Sequence, residues 1–317
     1  MKKSLIFNDK LFVLTRGMGF SGAGFLNEWF IANGFSVNKG YSLNEIKTRS
    51  SNHFSWVDYL DGKYEDSRYR LLIGKRILLD LIYRILKFFF YYPFLDSILN
   101  KDFGIHVSHS RSFSVREQFN NFYPLLNRND TNIVFRNWLV RKFKYINNET
   151  KLVLFDNGIP DDERLMKLLI KFIDPFFIVV FRDPIIQFVQ SIVFYDKYKN
   201  KSITNIESKI AKFVTEQATK YQMYLEFESQ FTSILFVELE KFRDDLSYRE
   251  NIAKLVFVDR NLIDFESNSI INKSIENEQY LKSTSHYNNA INYKSMFNTI
   301  YKYQVLLSKV ISNEIRY

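Results

Sequence analysis

The chain has 317 residues, 46% apolar and 25% charged, which is enough to bury a full core and excludes wholesale disorder. The absence of cysteine excludes a disulfide framework, a thiolate metal site and a cysteine nucleophile, so a reducing cytoplasm is the expected compartment. A formal charge of +9, from 44 basic and 35 acidic residues, favours anionic partners and leaves open whether these are phosphorylated ligands, lipid headgroups or nucleic acid.

Met1-Lys2-Lys3-Ser4-Leu5-Ile6-Phe7 begins as a signal peptide does, but Asn8, Asp9 and Lys10 interrupt the apolar stretch and no small-residue cleavage site follows. No export signal is expected. Leu11 to Thr15 reads as a strand, followed by the cluster Gly17, Gly19, Gly22 and Gly24. Phe25 to Ala32 then reads as a helix with Phe25, Trp29 and Phe30 inward. Residues 36–66 are polar and weakly periodic, a loop with short helices.

An apolar segment from Arg68 to about Ile98 carries Arg70, Lys75, Arg76, Arg84 and Lys87 and contains no uncharged stretch long enough to span a bilayer. Arg76, Asp80, Arg84 and Lys87 repeat at helical spacing. The first reading is a helix that packs on the core and solvates its charged face; the second is peripheral contact with the inner membrane surface. Phe135, Leu139, Phe143 and Ile146 mark a further amphipathic helix over 131–146.

Lys151 to Phe155 reads as a buried strand. Pro160 with Asp161, Asp162 and Glu163 starts a helix running to about Phe172. Phe176 to Phe181 is a continuous apolar strand, and Asp183-Pro184 caps a helix through about Phe194. A long helix over 204–229, with Ile206, Ile210 and Phe213 inward, leads to a strand at Ser233 to Val237. Ser247 and Glu250 have capping-box spacing before another helix, and Asn289 to Ser312 is helical. Strands alternating with helices, and strands without polar alternation, define an α/β protein with a central parallel sheet in three layers. One domain over 1–317 is expected, with 36–130 a helical insertion or acceptor-binding region.

Two constellations carry chemistry. Arg16-Gly17-Met18-Gly19-Phe20-Ser21-Gly22-Ala23-Gly24 lies between a strand and a helix, where glycines turn the backbone and aim N–H groups at an anion near a positive helix end. Its alternative is a turn that only packs helix against sheet. Gly17 and Gly22 have Walker A spacing, but Ala23 and Gly24 stand where an NTPase needs Lys and a magnesium-ligating Ser or Thr, which disfavours an ordinary ATPase or kinase. The second constellation is Arg182-Asp183-Pro184 through Gln190-Ser191, with Arg182 at the carboxyl end of a strand, where open α/β sheets bind ligands and a guanidinium fork suits phosphate. Its alternative is a capped helix start.

Together these resemble the sulfotransferase family, as a divergent bacterial member of P-loop-like fold. The family's 5′-phosphosulfate loop follows the first strand, and its 3′-phosphate site is an Arg ending a later strand plus a Ser in the next helix. Phe20-Ser21-Gly22-Ala23-Gly24 falls where the family shows a basic residue, Ser, Gly, Thr, Thr. Phe176 to Ser191 is similar to its strand, Arg-Asp-Pro and helix, with Gln190 competing with Ser191 because the Ser sits one residue later. Phe265 to Tyr280, with Asn272 and Lys273, is similar to the segment that closes over the nucleotide. The resemblance implies 3′-phosphoadenosine 5′-phosphosulfate (PAPS) as donor, the bisphosphate PAP as product, no metal, and a hydroxyl-bearing carbohydrate acceptor of surface-polysaccharide synthesis. Phe20 replaces the basic residue used against the leaving oxygens, so Arg16 or another cation must substitute.

Such a transfer needs a base on the acceptor hydroxyl. His106 and His109 are candidates because histidine titrates near neutral pH, and Asp156 is a third because it ends a strand. Each has a structural alternative as a surface group or turn cap. The competing functions are a non-catalytic nucleotide- or glycan-binding protein and a transferase of another nucleotide-borne group. Nucleic acid is the least favoured partner, because the bases are spread along the chain without a reader motif.

Overall fold

The computed structural model describes residues 11–18, 22–37, 55–89, 122–127, 129–143, 152–155, 159, 162–199, 205–228, 234–256 and 268–314. His106, His109, Asp156, Gly19, Phe20, Ser21 and Ile146 lie outside them, as do Pro160, Asp161, residues 90–98 and the N-terminal ten residues.

The chain opens with β1 (Leu11–Gly17) and α1 (Ala23–Ala32). After β2 (Ser36–Val37) come α2 (Trp56–Leu60), a 3₁₀ turn at Lys63–Glu65 and α3 (Ser67–Phe89). Next are α4 (Thr131–Phe143), β3 (Leu152–Phe155), α5 (Glu163–Phe172) and β4 (Pro175–Phe181). Then follow α6 (Pro184–Lys199), α7 (Ile206–Glu228), β5 (Ile234–Glu238), α8 (Leu239–Asp244) and α9 (Leu246–Val256). The described residues end with α10 (Asn268–Ser283), α11 (Ser285–Ile291), a 3₁₀ turn at Lys294–Phe297 and α12 (Asn298–Glu314). Helices predominate and strands pair in parallel, so the protein is of the α/β class.

The chain forms two compact units, Met1–Phe12 with Ser36–Pro175 and Val13–Phe35 with Phe176–Tyr317. In the first, β2 pairs with β3 in parallel, Ser36 opposite Val153. Its core is aromatic: Trp56 meets Phe135 at 4.8 Å and Trp138 at 5.4 Å between centroids. Asp58 is buried beside this core, where Lys63 and the Tyr69 hydroxyl (3.0 Å) neutralise and satisfy it, as a buried carboxylate requires. Apart from β2 and short turns, the described part of 36–130 is helical.

In the second unit the strand order is β1-β4-β5, and β4 runs parallel to β5 from Phe177 opposite Ile234 to Phe181 opposite Glu238. The unbroken apolar run of β4 is explained by its burial at nearly every position. Phe25 and Trp29 of α1 are buried as expected and pack edge-on against Phe242 of α8, at 6.1 and 5.2 Å. Ile210 of α7 is buried, and Phe213 packs on Phe188 and Phe297.

Several boundaries depart from the sequence expectation, and side-chain caps decide two of them. The helix expected from Pro160 begins at Glu163, because the Asp162 carboxylate accepts from the Arg164 and Leu165 amides. The cap before α9 is Asp245, not Ser247: Asp245 Oδ1 accepts from the Tyr248 amide at 3.1 Å and the Ser247 hydroxyl at 2.8 Å. β2 replaces expected loop, α6 runs five residues past Phe194 to Lys199, and the C-terminal stretch breaks at Lys294–Phe297 between α11 and α12.

Candidate anion-binding site

Every contact here lies within the second unit. Thr15 Oγ1 on β1 donates to Asn27 Oδ1 on α1 at 2.7 Å, and both side chains are buried. This bond ties the strand that enters the glycine-rich stretch to the helix that leaves it. Gly17 ends β1, and the next residue is anchored twice. The Met18 amide donates to the Val180 carbonyl of β4 at 3.1 Å, and Gln187 Nε2 on α6 donates to the Met18 carbonyl. The stretch therefore leaves β1 anchored to β4, the strand that Arg182 follows.

Gly22 is the N-cap of α1 with φ +83°, a left-handed backbone that favours glycine, and its carbonyl accepts from the Phe25 amide at 2.9 Å. A Cβ there would also meet Leu239 Cδ2 at 2.5 Å. Glycine supplies no side-chain cap, so the α1 N-terminus keeps donor capacity and partial positive charge for an external acceptor. Ala23 and Gly24 form its first turn. Arg16 is a buried β1 side chain.

Arg182 follows β4 directly and is 3% exposed. Its Nη1 donates to Gln190 Oε1 at 2.8 Å. Ser191 instead turns its hydroxyl onto the Phe188 carbonyl at 2.7 Å, so of the two expected helix residues Gln190 meets the arginine. Glu240 Oε1 lies 3.6 Å from Arg182 Nε and Glu278 Oε2 lies 3.7 Å from Nη2. Neither carboxylate comes within ordinary hydrogen-bonding distance, and the buried Nε has no hydrogen-bond partner among the described residues.

Burial lowers the guanidinium pKa of Arg182, opposed by the charges of Glu240 and Glu278. Burial raises the Glu240 carboxyl above its usual range against the hold of backbone N–H groups and Arg182. Burial also pushes Glu278 upward, but bonds from Lys282 and Arg243, each 2.7 Å, outweigh it and hold the carboxyl below its usual range.

The backbone here is locked from α12. Gln304 Nε2 donates to the Arg182 carbonyl at 2.8 Å, and the Tyr301 hydroxyl donates to Asp183 Oδ2 at 2.9 Å. Asp183 Oδ1 caps α6 through the Ile185 and Ile186 amides at 2.8 and 3.0 Å, as the sequence predicts. Asn272 and Lys273 are exposed on α10; the α10 residue that reaches Arg182 is Glu278.

Sequence reasoning missed Glu240, Glu278, Tyr301 and Gln304. Glu240 carried a signal, since it lies two residues past the carboxyl end of β5, where polar groups gather in α/β sheets. Glu278 fell in the stretch singled out for its amide and base.

The arrangement is a glycine-capped helix start and a buried arginine at the ends of adjacent strands β1 and β4 of an α/β protein. Comparison with protein-family models, curated proteins and solved structures returned no match. Among the described residues, no cluster of acidic residues and histidines could hold a metal ion, and no helix is long and apolar enough to cross a membrane.

Proposed function

We propose that this protein is a sulfotransferase of P-loop-like fold that moves a sulfuryl group from PAPS to a hydroxyl of a carbohydrate acceptor. The glycine-rich stretch up to Ala23 and Gly24 holds the 5′-phosphosulfate with backbone N–H groups, and Arg182 with Gln190 holds the 3′-phosphate. One observation carries this reading. Gln190 meets Arg182 at 2.8 Å, while Met18 binds Val180, two residues before that arginine. The anchored loop and the arginine–amide pair thus share β4, as a donor gripped at two phosphates requires. Arg16 supplies cationic charge for the leaving oxygens, since Phe20 has none.

A second reading rests on Glu240 and Glu278. With both carboxylates near Arg182, the arginine ties α8 and α10 to the end of β4, and the chain binds a nucleotide or glycan without turnover.

Calorimetric titration with adenosine 3′,5′-bisphosphate tests the donor site, with ADP and ATP plus magnesium as comparators. The expected result is micromolar affinity, lost in Arg182→Ala and weakened about tenfold, or 1.4 kcal/mol, in Gln190→Ala, with both variants measured well below their melting temperatures. Binding without transfer to any acceptor supports the second reading. No binding, or preference for ATP with magnesium, overturns the donor assignment.

A further inference from the structure

We propose that the first unit binds a saccharide joined through a phosphate to an apolar chain, with the sugar in a polar cleft, the phosphate at Arg70 and the chain in an adjoining groove. The cleft, of about 380 Å³, is walled by Tyr59 and Tyr64 and by Glu65, Asn127 and Asn129. The groove, of about 680 Å³, runs along α3 past Leu71, Leu78 and Leu126. Arg70 and Leu125 line both, so the two spaces adjoin at those residues.

The cleft has the chemistry of a sugar site. The Tyr59 and Tyr64 rings, 6.2 Å apart and inclined at 40°, give an aromatic wall against which the C–H face of a pyranose packs. Glu65 and Asn129 are exposed, and a carboxylate and an amide supply acceptors and donors for hydroxyls. Asn127 donates Nδ2 to the Tyr123 hydroxyl at 3.0 Å, which leaves its Oδ1 to accept. The volume falls within the roughly 300–1,000 Å³ of small-molecule clefts.

The groove has the opposite character. Leu126 at 80% and Leu71 at 74% exposure are the most exposed large apolar side chains among the described residues, and clustered exposed apolar surface marks a binding face. Gly74 leaves open space, since an added Cβ meets nothing within 4 Å. Arg68, Arg70 and Lys75 are the charged residues of its lining, and none is acidic. Among the described residues none pairs with the Arg70 guanidinium, whose fork matches a phosphate.

Charge and position together select the occupant. A free sugar leaves the groove bare, a fatty acid leaves the cleft empty, and a flat bilayer surface uses only the leucines and the bases. A sugar, an anionic link and an apolar tail match cleft, arginine and groove in that order. The binding of this ligand does not rest on the function proposed above.

The test uses the full chain, without nucleotide, titrated with glucose 1-(decyl phosphate), glucose 1-phosphate, decyl phosphate and phosphatidylglycerol vesicles. The joined probe is expected to bind at least tenfold more tightly than either half. Leu126→Asp should weaken the joined probe and decyl phosphate while leaving glucose 1-phosphate unchanged, and Asn129→Ala should do the reverse with the halves. Both positions are exposed, and unchanged thermal unfolding confirms the fold. Equal affinity for the joined probe and one half, binding to vesicles alone, or self-association relieved by Leu126→Asp would each overturn the proposal. Nucleotide binding is a separate readout, so failure here is distinguishable from failure of the donor site.

Discussion

Glu278 Oε2 lies 3.7 Å from Arg182 Nη2 and 2.7 Å from Arg243 Nη1, so one carboxylate oxygen serves two arginines and is held more closely by the second. A phosphate entering the Arg182 fork meets that carboxylate as a like charge. Glu278→Gln keeps the shape and removes the repulsion. Bisphosphate affinity in this variant is expected to rise about tenfold, or 1.4 kcal/mol, in calorimetry at pH 7. A fall in affinity would mean that Glu278 orients Arg182 rather than competing for it.

The same residue sets a pH dependence. Bonds from Lys282 and Arg243 overcome burial and hold the Glu278 carboxyl low. Its contribution to stability is therefore present above the unfolded carboxylate value, about 4.3, and is lost as pH falls through the folded value. Asp162 acts with the same sign: burial raises it, but Arg164 and the Leu165 amide lower it further. Glu240 has the opposite sign, because burial raises its folded value and acidification relieves an unfavourable charge. Glu278→Gln should be less stable than the parent at about pH 7 by roughly 1.5–3 kcal/mol, typical of hydrogen bonds to charged groups. Urea unfolding should show that gap closing below about pH 4; a constant gap would assign the loss to packing.

Gly22 and Gly24 lie two residues apart and should respond oppositely to alanine. At Gly22, with φ +83° and Leu239 2.5 Å from the added Cβ, alanine is expected to cost about 2 kcal/mol. In a Leu239→Ala background the steric part disappears and about 1 kcal/mol of backbone strain remains. At Gly24, on a helical backbone with nothing within 4 Å, alanine should stabilise by roughly 0.5–1 kcal/mol. Thermal unfolding of the four variants checks both signs.

How much was legible in the chain follows from the range of each interaction. The Phe177 to Phe181 run and the Asp183-Pro184 cap are local, and both appear as read. Asp245 displaced Ser247 as a cap because both residues suit the role, and two residues' difference in where the helix starts decides between them. Glu240 and Glu278 reach Arg182 from 58 and 96 residues away, through helices α8 and α10 whose placement no short-range pattern encodes. Gln190 against Ser191 stayed open in the sequence because both follow Arg182 at about two helical turns. The structure separates them through the hydroxyl bond of Ser191 to its own helix.

Gln187 is the residue through which α6 positions the glycine-rich stretch, since its amide grips the Met18 carbonyl and also reaches Gln217 Oε1 at 3.3 Å. Gln187→Leu keeps comparable bulk and deletes both bonds, leaving a buried carbonyl to be satisfied elsewhere, at a cost of roughly 1–3 kcal/mol. If the anchor also holds the stretch in a binding-competent shape, the folded variant should bind the bisphosphate about tenfold more weakly, or 1.4 kcal/mol, well below its melting temperature. Trp138→Phe, in the aromatic core of the first unit, is the control, because it lowers stability without touching the stretch. Weaker binding in Gln187→Leu with parental affinity in Trp138→Phe identifies Gln187 as a positioning residue. Equal losses in both variants would reduce its role to stability alone.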